Sequence, residues 1–476
     1  MSGLFTSLYT TTNSLRTQSA AIDIVGRNMA NVNNAGYARQ RLVMGDKGTV
    51  ETALGAQSLG TEPVGIQQMR DRLLDAQITE ETSNTAELEA QLKFFQQAQT
   101  ALGQGLFGNA GSVDTIKSNP DLPAGLAASI DAFFNAWQSL ATEPSSTVNK
   151  QQLIATTDDL IDKIKLADTR LADLALPSAG NTLTGQMDDD VQQVNSLLTT
   201  IADLNRQIGR VEIINPGSAV DLRDQRQAKL EELAKYIDFS TVQQSAGQLG
   251  IQVSDGAGGT VDLVSLSTVS GALARNGADY ELVPAGGPPN QPVEFSAGNL
   301  AGYQQAGATI QGYRTDLDAF VSSLVGQVND AYTDGGTNGN SNFFDPAGTT
   351  AATIERLATA STVRAGGTPS ASGANDRALA VANLAIDSTF LSGTPAQAFA
   401  RLVTRAAQDV SVTNSRVEDQ KSLQGLLTAQ RNSYGGVSLD EETADMMRFQ
   451  RAYQASAKLM SIINEMLSSA LNTLSG

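Results

Sequence analysis

With neither His nor Cys anywhere in the sequence, thiolate nucleophiles, Ser-His-Asp triads, His general bases and Cys/His zinc sites are excluded. Carboxylates are left as the groups whose spacing could do chemistry. Asp188-Asp189-Asp190 invites a cation, yet successive helical residues point about 100° apart and cannot share one ion, so a solvated helix start is expected. The segment from Asp334 to Gly339 echoes a calcium loop, but its third position is Gly336 and its twelfth is Asp345 rather than Glu, which predicts a plain turn. Asp255-Gly256-Ala257-Gly258-Gly259 follows a strand pattern, opens no helix and has no Lys, so it reads as a hairpin connection and not as a phosphate loop. The 50 acidic residues are not grouped with aromatics that would hold a sugar. No enzyme, metal or cofactor is expected.

The elements that would position such residues point to a building block. At 476 residues the chain predicts two to four domains. Its net charge of -18, from 32 basic and 50 acidic residues, opposes a phosphate backbone, so nucleic acid is not an expected partner. Met1 to Thr10 lacks a basic segment followed by an apolar run, and no later stretch of 18 residues is uncharged and apolar. Neither a Sec-type signal nor a membrane span is expected, and export would need another route.

Periodicity predicts helices over 69–102, 126–140, 145–174, 187–213, 219–236, 300–332 and 395–430. On this reading the first half is almost wholly α. From Ile237 the pattern alternates between Gly-rich turns, predicting a small β module with an exit loop at 284–292, and 334–374 reads as mixed structure. The expected architecture is mainly α with a β insertion. Residues 1–36 and 437–476 form paired terminal coiled-coil helices, 37–236 and 297–436 a discontinuous, elongated helical rod domain, and 237–296 an inserted outer β domain.

Both chain ends carry an apolar stripe on a three-four spacing: Leu8, Leu15, Ile22, Val25, Met29 and Val32, then Met446, Phe449, Tyr453, Met460, Ile463 and Leu467. The two stripes are expected to pair with each other or with copies of themselves. A further apolar flank, including Ile462 and Met466, favours an interface between subunits. The first stripe ends in Ala30-Asn31-Val32-Asn33-Asn34-Ala35-Gly36-Tyr37, where Asn31, Asn33 and Gly36 are residue types that tolerate left-handed backbone and stop a helix.

That same segment resembles the Ala-Asn-x-Asn-x-x-Gly-Tyr signature of bacterial flagellar rod, hook and hook-associated proteins. Val437-Ser438-Leu439-Asp440-Glu441-Glu442, followed by the run from Met447 to Ala457, resembles the C-terminal signature of the flagellar hook-associated protein 1 family, the hook-filament junction proteins. Phe133 to Leu140, Glu143 to Ser146, Asp221 to Arg226 and Asn375 to Leu384 are similar to that family in the same order. There are two departures: the β insertion is short, and Gly307-Ala308 stands where relatives tend to have Arg-Asp.

The resemblance implies a structural subunit exported through the flagellum's type III channel and placed outside the cell at the hook-filament junction after a transient cytoplasmic stage. It implies as partners copies of the chain in a ring, the hook protein, the second hook-filament junction protein, and a cytoplasmic export chaperone at the C-terminal helix. Two alternatives stay open: another axial protein such as the second junction protein, hook subunit or flagellin, or a secreted enzyme or adhesin that uses the β insertion as its active module.

Overall fold

The computed structural model describes residues 2–34, 36–52, 55–104, 125–176, 180–336, 341–367 and 373–475. The chain begins with α1 (Ser2–Ala30) and then forms β1 (Gln40–Asp46), β2 (Thr49–Thr52), β3 (Gly55–Ser58) and β4 (Thr61–Gln68). The β1–β4 pair and the β2–β3 pair are both antiparallel, so 40–68 is a nested hairpin. This corrects the expectation of an almost wholly α first half. The strands are short and mostly exposed, so they lack the apolar alternation that marks a strand in a sequence.

The helical body follows, with α2 (Arg72–Gln99), α3 (Leu126–Thr142), α4 (Thr147–Ala172), α5 (Thr182–Glu212) and α6 (Val220–Ala234). Their starts are set by side chains that accept from otherwise unpaired backbone N–H groups: Asp71 for α2, Ser146 for α4 and Asn181 for α5. The insertion then runs β5 (Ser240–Gln243), β6 (Leu249–Ser254), β7 (Thr260–Ser265), β8 (Thr268–Val269), β9 (Gly271–Asn276), β10 (Asp279–Pro284) and β11 (Gln291–Val293). It makes one sheet in the order β5-β6-β7-β8 and a second in the order β11-β10-β9.

Helix returns with α7 (Gly298–Thr333), α8 (Asp376–Asn383), α9 (Pro395–Gly435) and α10 (Leu439–Ser475). A capping box of Thr394 and Gln397, with Pro395 in the first turn, opens α9. Its 41 residues would span about 60 Å at 1.5 Å per residue.

One continuous apolar core joins α2 through α9 to the inner faces of the inserted strands, including Ile251, Leu263, Leu273 and Leu282. The strands pack on α5, so the insertion does not bury its apolar side alone. Where α7 crosses α2, a Cβ on Gly302 would come within 2.5 Å of the Glu87 carbonyl, so glycine permits the close approach. The 334–374 segment adds Phe343 and Phe344, which join Phe133, Trp137 and Tyr332 in an aromatic cluster with Trp137 and Phe343 centroids 4.9 Å apart.

Candidate functional site

The acidic clusters resolve into structural roles. Asp188 makes a two-pronged ion pair with Arg275 of β9, at 2.7 and 3.0 Å, while Asp190 is buried and accepts from Tyr303 at 2.9 Å and Asn299 at 3.1 Å. The helix starts at Thr182, so this triplet is not the solvated helix start expected; it ties α5 to the sheet and to α7. Asp255 accepts from the Ala257 and Gly259 amides in the β6–β7 turn, and Asp334 closes α7 in left-handed backbone. Part of the calcium-loop echo, 337–340, lies outside the described residues. Among the described residues no group of three or more carboxylates could hold a metal, and no helix is long and apolar enough to cross a membrane.

The two chain ends do come together. α1 packs along α10, with Ser14 against Ser456 at 3.1 Å and Asn28 against Glu442 at 3.0 Å. These contacts are equally far apart on both helices and run in opposite chain directions, so the pair is antiparallel. Val25 and Ile463 are fully buried, whereas Leu8, Leu15, Ile22, Met29, Val32, Met446, Phe449, Met460 and Leu467 are half-buried and Tyr453 is exposed. A second face of α1, with Asn13, Thr17, Ala21, Ile24 and Asn28 buried, is covered on the hairpin side: Thr17 donates to the Thr61 carbonyl and Asn28 to that of Gln40.

An apolar strip remains uncovered on the outside of the pair. Leu459, Ile462 and Met466 are 50%, 42% and 47% exposed and share one helical face, with Phe5 and Tyr9 of α1 exposed as well. The outward flank is therefore Leu459–Ile462–Met466, while Ile463 belongs to the chain's own seam.

Where the coil meets the body, the turn is held by side chains the sequence pattern did not single out. The Asn28 amide is 1% exposed; it donates to the Gln40 carbonyl and Glu442, and accepts from the Gln40 amide and the Tyr37 hydroxyl at 3.0 and 2.8 Å. Burial pushes the Tyr37 phenol up, so it stays a neutral donor. Arg39 pairs with Glu441 and Glu442, both at 2.7 Å. Arg70 links Asp75, Asp224 and the Gly36 carbonyl, and burial outweighs it, raising the Asp224 carboxyl to about 6.

Asn31 bonds back to Arg27, and Asn34 to the Gly36 amide. Asn33 is exposed. None of the described residues from 31 to 37 has positive φ, and a Cβ on Gly36 would make ordinary contacts at 3.7 Å. Among the described residues the turn is therefore made without left-handed backbone at Asn31, Asn33 or Gly36.

Residues 110–344 match the family described as Flagellar hook-associated protein FlgK helical domain, and residues 429–473 match Flagellar basal body rod FlgEFG protein C-terminal. The chain resembles the flagellar hook-associated protein 1 family. Flagellar hook-associated protein 1 of Bacillus subtilis is 23% identical over 99% of this chain and 99% of its own length. That of Salmonella typhimurium is 25% identical over 60% of this chain but only 46% of its own length. The flagellar hook junction protein FlgK of Burkholderia pseudomallei shares the fold, with a TM-score of 0.60 and 14% identity over 75% of this chain and 100% of that one. The mainly α architecture with a small β part is that of hook-associated protein 1.

Proposed function

We propose that this protein is a structural axial subunit that joins the flagellar hook to the filament. The observation that carries the reading is the likeness to hook-associated protein 1 along the whole of both chains, in a chain whose paired ends keep an apolar strip uncovered. Burial of that strip between copies would stabilise the assembly by roughly 25 cal/mol per Å² of apolar area. In this reading 1–36 and 437–476 build the inner coil, 37–236 and 297–436 the rod domain, and 237–296 an outer β part.

The expected neighbours are copies of the chain in a ring, the hook protein below and the second junction protein above. Before assembly the subunit is cytoplasmic, with a chaperone covering α10, and type III export carries it outside. Immunogold labelling of isolated flagella tests this. Label confined to the hook-filament joint is expected, whereas label along the filament would make it another axial protein, and flagella without label would end the reading.

A further inference from the structure

The chain has an excess of acid, yet three exposed arginines, Arg72, Arg206 and Arg210, line one cleft of about 820 Å³ at the α5–α6 turn. Among the described residues Arg210 makes no ion pair, Arg72 reaches only the Gln243 side chain at 3.4 Å, and Arg206 shares Asp203 on its own helix at 2.9 Å. Glu212, the one carboxylate lining the cleft, is buried and held by Arg223 at 2.5 Å, with its second oxygen unpartnered. Beside the cleft Ile213 and Ile214 are 76% and 77% exposed. Cations around a cleft, next to apolar side chains that water does not favour, suit an acidic protein surface carrying an apolar residue.

The chain presents such a surface on its other flank. Consecutive side chains of an extended segment leave opposite faces. At the entry to β1, Arg39 reaches Glu441 at the start of α10, whereas Gln40 reaches Asp221 at the start of α6 at 2.7 Å. The α5–α6 turn and the start of α10 therefore lie at one level on opposite sides of the strand. The α10 start exposes Asp440 and Glu441 beside a half-exposed Leu439. Unlike patches on opposite flanks are what a head-to-tail contact needs, and repetition of that contact gives a ring or a helix.

We propose that Arg72, Arg206 and Arg210 of one copy receive the Leu439-Asp440-Glu441 start of α10 from the adjacent copy. The proposal rests on the axial-subunit reading, since it requires copies side by side. The test follows fluorescently tagged protein at hook tips in living cells. Wild-type foci establish the reading, and their absence would fail it before the patch is tested.

Given those foci, Arg210→Glu is expected to reduce them about tenfold or more, because like charges across an interface are repelled, and Asp440→Arg with Glu441→Arg is expected to restore them. Unchanged foci in Arg210→Glu would overturn the proposal. The native chain has no cysteine, so a chain carrying Arg210→Cys and Glu441→Cys brings only the two introduced thiols when isolated flagella are oxidised. Cross-linked multimers of the chain support the contact, while monomer alone, or a species containing a different axial protein, would overturn it.

Discussion

Asn28 joins three separate parts of the chain: α1 that carries it, the β1 backbone at Gln40, and Glu442 at the start of α10. Replacing it with Ala strands the buried Gln40 amide and carbonyl, so Asn28→Ala is expected to destabilise the coil-to-body junction by about 1–3 kcal/mol. Urea melts of the purified protein, with hydrogen exchange at 438–446 losing protection first, would check this. Asp224 contributes a pH dependence. Its folded pKa, about 6, lies above its ordinary 3.8, so its contribution favours folding below about pH 4 and is lost as pH rises through 6. Asp224→Asn should flatten that part of the melting profile; an unchanged slope between pH 4 and 6 would remove Asp224 as its source. The signature around Asn31 and Tyr37 was legible as a helix stop. Asn28, Arg39, Arg70 and Asp224 were not, because their partners stand up to 414 positions away, and local pattern carries no trace of such a contact.

At the scale of elements, the long helices and the inserted strands were legible because their apolar spacing and their Gly, Pro and Asn stops agree. The hairpin at 40–68 was missed: its strands are mostly exposed, and they cover a face of α1 made of Asn13, Thr17, Ala21 and Asn28. That face is too small and polar to stand out beside the heptad stripe. The stripe's use was legible only in part, since Ile463 belongs to the internal seam and Ile462 to the outer strip. Ile462→Asp should leave the monomer's melt unchanged within about 0.5 kcal/mol, as exposed sites do, while sharply reducing incorporation at hook tips; normal incorporation would show that the strip is not an interface. Gly302→Val should instead destabilise the body by about 1–3 kcal/mol through overpacking, read by thermal melting, because the Glu87 carbonyl leaves no room for its side chain.

For the whole molecule, one continuous core from α2 to α9 and the inserted strands makes the body a single support for the paired ends. The ends leave the strip of Leu459, Ile462 and Met466 exposed. The β strands spend their apolar faces against α5 and within that same core, which fits an outer part of a structural subunit better than an independent active module. On the proposed function, the protein joins hook to filament. The most direct test is electron microscopy of cells lacking the gene, with flagellin assayed in the medium. Bare hooks together with shed flagellin are predicted, and intact filaments of normal length would contradict the account.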